Sequence, residues 1–434
     1  MRLTCSIGCH PRYQGQSPPD MAHSVNIQDR LTISLPYISL PYELLRDIFH
    51  QATFIPHEWD LNYTSITHGS LDGWHLFQLR AWRKVLPLRR AIAHVSRSWR
   101  AVSLELLYGT FHDYAKDGMM ESFASILSDC PYYATLVRRL TIRLTGWPEH
   151  DAQVAGILRQ CSNLLIISIH YTPSGNASGL ITLPDLTLLS TTIRRLSIMN
   201  APTSTVFPIL LHLQNLEMLS IKFMLHSDQT PTPLTILPNL RMLQITSNYG
   251  ATIDLCSKGL QLPRLSALSI NYRRRHSIPT LPNDMAKRLL SLEFIYPGRN
   301  LTNWNADDLP NLRCLRLRWR HLKADFFRLQ LPMKQIEDLT CDLPPVEDNN
   351  LLPPVERIMS FILDPNSMPN LKYFTLDISE TTGDFLRGKD EVGSDVRAYL
   401  TGLMAAFDQR EVNLYCYLSN IPHGRILMRH FLEA

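Results

Sequence analysis

The chain has 434 residues, 45% of them hydrophobic and 19% charged, with 43 Lys and Arg against 39 Asp and Glu for a formal net charge of +4. That length accommodates more than one domain, and the composition excludes a collagen-like or wholly disordered chain. The charge is too small to imply a nucleic-acid partner by itself. No apolar run approaches the roughly 18–20 residues of a spanning helix, and Met1-Arg2-Leu3-Thr4-Cys5 lacks the apolar core of a secretory signal. The expectation is a soluble protein of the cytoplasm or nucleus whose eight scattered cysteines are reduced thiols.

In chain order, residues 1–34 are polar and proline-containing and are expected to be a disordered tail. Cys5, Cys9 and His10 cluster there, but a structural zinc site takes about four ligands and no second pair follows. A helical signature follows, Ser39-Leu40-Pro41-Tyr42-Glu43-Leu44-Leu45-Arg46-Asp47-Ile48-Phe49, with Ser39 and Pro41 at its start and Glu43 in its first turn. Leu44, Leu45, Ile48 and Phe49 fall on one apolar stripe, which requires a partner surface. Residues 88–108 read as a second helical block with apolar positions Ile92, Val95, Trp99, Val102 and Leu106. Between them, residues 52–86 carry Trp59, Trp74 and Trp82 and a set of basic residues, and read as an insertion.

Leu40-Pro41-x-x-Leu44-Leu45-x-x-Ile48-Phe49 together with Val95-Ser96-Arg97-x-Trp99-Arg100 resembles the F-box in the form common among fungal F-box proteins. The resemblance spans residues 35–112. It implies a small helical domain that docks a Skp-family adaptor and through it a cullin, which would make the protein a substrate receptor of a ubiquitin ligase. By that resemblance, Leu40, Pro41, Leu44, Leu45, Ile48, Phe49, Val95 and Trp99 are the adaptor-binding residues. The alternative is that the same helices only cap the end of the domain that comes after them.

From Val137 to Leu376 the chain repeats one pattern ten times: an apolar residue, two variable residues, an apolar residue, one variable residue and a third apolar one. The middle residues are Leu140, Ile167, Leu196, Leu219, Leu243, Leu268, Leu292, Leu315, Leu339 and Phe374, at steps of 27, 29, 23, 24, 25, 24, 23, 24 and 35. A leucine-rich repeat runs roughly 20–29 residues. Several units are introduced by a proline, as in Leu237-Pro238-Asn239 and Leu309-Pro310-Asn311, which pushes the chain toward extended geometry. One such strand cannot bury its apolar face alone, so the units must stack. The predicted fold is therefore α/β: a leucine-rich-repeat solenoid over 113–382 preceded by the small helical domain.

Residues flanking the middle positions should face away from the core and line the concave sheet, where a protein target would bind. The candidates are Arg139, Arg143, Met199, Met218, Met242, Arg316, Arg318, Asp338 and Asp342. The three methionines suit an adaptable contact surface, or are simply core if the register slips by one residue. Arg316 and Arg318 lie one unit from Asp338 and Asp342, and a self-neutralising cross-strand ladder is preferred there to a target contact. Arg273-Arg274-Arg275-His276 reads as a solvated turn.

Residues 343–370 interrupt the period and contain a helix candidate at 355–363. A helix over 395–407 and a strand over 412–417, within a closing segment 383–434, end the chain. No phosphate-binding loop, nucleophile elbow or His-Glu-x-x-His helix is present in the sequence. The sequence therefore points away from an enzyme, a cofactor or a metal. Its expected partners are an adaptor and an unknown protein, with nucleic acid ranked last.

Overall fold

Each of the ten periodic segments contributes one β-strand, and the strands stand side by side in chain order. The computed structural model describes residues 40–55, 71–113, 119–172, 186, 189, 191–201, 203–223, 235–247, 260–272, 281, 283–295, 309–318, 334–342, 352–378, 391–418 and 425–428. The tail to residue 39, Cys5, Cys9, His10, Trp59 and Arg273 to His276 lie outside that set. Residues 1–41 and 42–434 form two units, and every described strand and helix belongs to the second.

The strands are β1 (Thr110–His112), β2 (Arg139–Leu144), β3 (Ile166–Tyr171), β4 (Arg195–Ala201), β5 (Met218–Phe223), β6 (Thr235–Ile236), β7 (Met242–Ser247), β8 (Leu260–Gln261), β9 (Ala267–Tyr272), β10 (Ser291–Ile295), β11 (Cys314–Arg318), β12 (Asp338–Asp342), β13 (Tyr373–Ile378), β14 (Asn413–Leu418) and β15 (Arg425–Leu427). β6 and β8 pair separately, and the other thirteen form one sheet. Every neighbour in that sheet is parallel except β15 on β14. The molecule is mixed α/β with a long, open sheet that does not close into a barrel. β1 extends it before the first periodic unit, a strand that the sequence pattern did not announce.

Register follows the apolar period. Leu140 pairs with Ile167, Ile167 with Leu196, and the middle residues continue opposite one another to Phe374. Alternate strand residues face opposite sides, so the middle and third apolar residues of a unit fall on one face; the first lies in the turn just before the strand, and the described side chains at the three positions join a single buried cluster running from Phe111 to Met428. Helices α4 (Met119–Asp129), α5 (Pro131–Leu136) and α6 (Pro148–Gln160) add Phe123, Leu127, Ala134, Val154 and Ile157 to that cluster. Pro148 opens α6 and Glu149 and Asp151 occupy its first turn, where acidic charge complements the helix dipole.

The turns before the strands are stitched by asparagine. Asn163, Asn215, Asn239, Asn311 and Asn370 each donate a side-chain amide hydrogen bond to a carbonyl of the preceding unit, those of Thr135, Thr191, Gln214, Lys287 and Lys334, at 2.8, 3.1, 3.1, 2.6 and 2.6 Å. Each adds about 1 kcal/mol to unit-on-unit stacking. Two short helices, α7 (Thr203–Leu210) and α8 (Asn283–Ala286), lie within the repeats, and near the far end α9 (Leu352–Leu363) fills the expected interruption. With α10 (Glu391–Gln409) and the three N-terminal helices, ten helices are described. Phe407 of α10 stacks on Phe374, and Arg410 donates to the Ile362 and Met368 carbonyls.

The N-terminal helices are α1 (Tyr42–Ala52), α2 (Leu71–Val95) and α3 (Arg97–Tyr108). The expected single block over 88–108 is two helices. Ser96 breaks it in extended backbone (φ −157°, ψ 170°), and its hydroxyl accepts the Trp99 amide as N-cap of α3. Part of the expected insertion is the first half of α2. No helix among the described residues is long and apolar enough to cross a membrane.

Candidate functional site

Helix α1 has two apolar faces. Leu45 and Phe49, one turn apart, are buried against Ile92, Val102 and Leu106, with the Phe49 and Trp99 rings 4.8 Å apart. Leu44 and Ile48, also one turn apart, are 50% and 51% exposed. Val95, the last residue of α2, is 61% exposed, and Leu40 and Pro41 are exposed as well. The expected docking set thus divides: Leu40, Pro41, Leu44, Ile48 and Val95 are accessible, whereas Leu45, Phe49 and the half-buried Trp99 hold the three helices together. The assignment of Leu45 and Phe49 as contact residues is corrected on this ground, because a side chain packed inside the helical cluster has no surface left for a partner.

Three buried groups keep the exposed face rigid. Arg89, almost fully buried on α2, donates to the Leu106 carbonyl of α3 at 2.9 Å and to the Thr53 carbonyl just past α1 at 3.1 Å. One guanidinium therefore satisfies carbonyls at the ends of two helices, where no intrahelical donor remains. The Thr53 hydroxyl donates to the Phe49 carbonyl at 2.7 Å. Trp82, buried with Ile55 and Leu79, stands edge-on to His112 of β1 at 5.2 Å. Since Phe111 belongs to the sheet's core, His112 lies on the opposite face, so α2 is packed on that face at the start of the sheet.

That second face is less accessible than the pattern suggests. Arg139, Met199, Met218 and Arg316 are buried, and Arg143, Met242 and Asp338 are half-buried. The side chains of Arg318 and Asp342 lie outside the described residues. Register is not at fault, because Met199 and Met218 stand apart from the main cluster. In an in-register parallel sheet each side chain has neighbours about 4.8 Å away on both sides, which shade it. Arg316 also faces a carboxylate on its other side: its Nε lies 3.4 Å from Oε1 of the fully buried Glu293 on β10, whose other oxygen accepts the Ser269 hydroxyl at 2.6 Å. Cross-strand register sets Asp338 opposite Cys314, two residues before Arg316, which stands opposite Thr340. Met199, Met218, Arg139 and Arg316 are accordingly corrected from accessible contacts to buried elements of the sheet, and Met242 is half-buried.

Two titratable groups at the start of the sheet were not foreseen. Burial, reinforced by Arg139, His170, Arg89 and Arg83, holds His112 well below its ordinary value of 6.5. Asp113, next along, is raised by burial against the opposing pull of His150 and Arg143, with the His150 ring nitrogen 3.5 Å from its carboxylate and Asp151 on the other side of that ring at 3.3 Å. These residues belong to strand ends and helix starts without a motif spacing, so nothing in the linear pattern selects them. Burial also pushes the thiols of Cys161 and Cys416 up to about 12, which leaves them unreactive. Among the described residues no group of three or more His, Cys, Asp or Glu could hold a metal ion.

No family model matches this chain, and no curated protein matches it.

Proposed function

We propose that the chain is the substrate-recognition subunit of a Skp/cullin/F-box type ubiquitin ligase, in which the helices over 40–108 dock a Skp-family adaptor and a leucine-rich-repeat solenoid presents a protein target. The observation that carries this reading is the division of α1: Leu45 and Phe49 are used internally, while Leu44 and Ile48 are left half-exposed on a helix that is held rigid by Arg89. A helix that served only as a cap would turn its apolar side chains into the chain. The solenoid reading rests on ten units whose strands stack in chain order with asparagine bridges at a fixed offset. The target surface of this receptor excludes the buried Met199, Met218 and Arg316.

A second reading is favoured by Trp82, which packs α2 against β1: a stand-alone repeat scaffold or inhibitor whose helices close the end of the sheet. Co-purification with a Skp-family adaptor separates the two. Stoichiometric binding by the full chain, abolished by Leu44→Asp with Ile48→Asp in a protein of unchanged circular dichroism, supports the receptor. Absence of binding by the folded native chain removes it and leaves the scaffold.

A further inference from the structure

The residue after the leading apolar position of each unit forms its own ladder along the rim where the strands begin. Ser266 N donates to the Arg241 carbonyl, Leu290 N to Ser266, Arg313 N to Leu290 and Glu337 N to Arg313, all between 2.8 and 2.9 Å. The turns that lead into β9 and β10 add Arg264, Lys287 and Arg288 beside this row, and Arg241, Arg264, Lys287, Arg288 and Arg313 are all exposed. The described carboxylates around them are Glu217, one unit before Arg241, Glu337, one unit after Arg313, and Asp284 on α8. Five cations thus gather at the starts of four neighbouring strands, β7, β9, β10 and β11, of a chain whose whole formal charge is +4.

Glu337 demonstrates what a carboxylate does on this rim. It is held between cations of the units on either side, 3.0 Å from Lys372 and 3.5 Å from Arg313, and the Lys372 hydrogen bond is the main cause of its lowered pKa. On β9 and β10 the equivalent positions are Ser266 and Leu290, neither of which supplies a carboxylate. Arg264 is held by the Asn239 side chain at 2.9 Å and Arg288 reaches the Leu262 carbonyl at 3.4 Å, so two of the five are pre-positioned. Leu290, 46% exposed, interrupts the cations with one apolar side chain.

We infer that this rim over β7 to β11 seats an extended acidic polypeptide segment, its carboxylates taking between Arg241, Arg264, Lys287, Arg288 and Arg313 the role that Glu337 plays one unit further on, with an apolar side chain against Leu290. Extended chain presents alternate side chains about 6.6 Å apart, and flexible cations on strands about 4.8 Å apart follow that spacing readily. A single row with an apolar residue at its centre suits a peptide better than a nucleic-acid backbone, for which base-stacking aromatic side chains are the usual companion. The inference stands whether or not α1 docks an adaptor.

The test is fluorescence anisotropy of the full chain with a labelled peptide that alternates glutamate and serine around one leucine, beside the same peptide with glutamine for glutamate and a single-stranded oligonucleotide of similar length. The acidic peptide is expected to bind, to weaken as salt rises, and to lose at least about tenfold in affinity in Arg241→Glu with Lys287→Glu. Neither the Arg241 guanidinium nor the Lys287 ammonium makes a described hydrogen bond, so the variant is expected to fold, as circular dichroism can verify. Equal binding of the glutamine peptide, or undiminished binding by the variant, overturns the proposal. Tighter, equally Arg241- and Lys287-dependent binding of the oligonucleotide also overturns it and assigns the rim to nucleic acid.

Discussion

The helices over 42–108 and the sheet over 110–428 treat apolar side chains in opposite ways. In the sheet, leucines at equivalent positions of successive units sit at or near zero exposure in one continuous cluster. In the helices, two small clusters suffice to hold three elements, and Leu44, Ile48, Leu88 and Val95 remain on the surface. A repeated strand must bury its periodic face against its neighbours or it does not form. A helix needs only one buried stripe, so a second apolar face that is left exposed is available for another molecule.

The sharpest way to break that contrast is by substitution on each side of it. Leu243→Ala, at a fully buried middle position, is expected to cost about 2–5 kcal/mol in urea denaturation. Leu44→Asp with Ile48→Asp is expected to cost less than about 1 kcal/mol, as surface changes do. If the double variant proves as damaging as the core change, the face on α1 is not free and the two regions follow one rule.

Buried charge offers the next test, because a buried guanidinium has internal work in each region. Glu293→Ala removes the carboxylate beside Arg316 on the second face of the sheet, and Arg89→Ala removes the guanidinium that donates to the Leu106 and Thr53 carbonyls. Both are expected to lose about 3 kcal/mol, but only Arg89→Ala should also weaken adaptor binding, since it loosens α1. A loss of adaptor binding in Glu293→Ala would show that the two regions are coupled.

The smallest effect is in pH. The fold holds His112 neutral, so below 6.5 the unfolded chain binds more protons than the folded one, and stability is full above that value and falls beneath it. The expected slope is at most about 1.4 kcal/mol per pH unit, and it should flatten in His112→Gln. Asp113 works the other way: its raised pKa means that ionisation disfavours the fold, so this contribution declines as pH rises through the carboxylate range. Denaturation midpoints between pH 7.5 and 5 that do not change in the native chain would remove His112 from the junction between α2 and β1.

What the sequence determined by itself was everything that repeats. The apolar period specified where the strands lie, whereas their register, in which a one-residue slip would exchange the two sides of every strand, was settled by the pairing in the sheet. The prolines and asparagines of Leu237-Pro238-Asn239 and its counterparts placed the turns. The helices at 352–363 and 391–409 were also legible from spacing alone, within a few residues at their ends. Whether a given side chain is covered was decided by the tertiary structure. Leu44 and Leu45 are adjacent and identical in chemistry, yet one is exposed and the other buried, because burial depends on which side of α1 meets α2 and α3. Met199 and Met218 lie on the expected face yet are hidden, because accessibility depends on neighbours from distant parts of the chain. Arg89, Glu293 and the cations of the rim acquired their roles in the same way: hydrogen-bond partners and charge clusters are properties of distance in space, which a linear pattern does not contain.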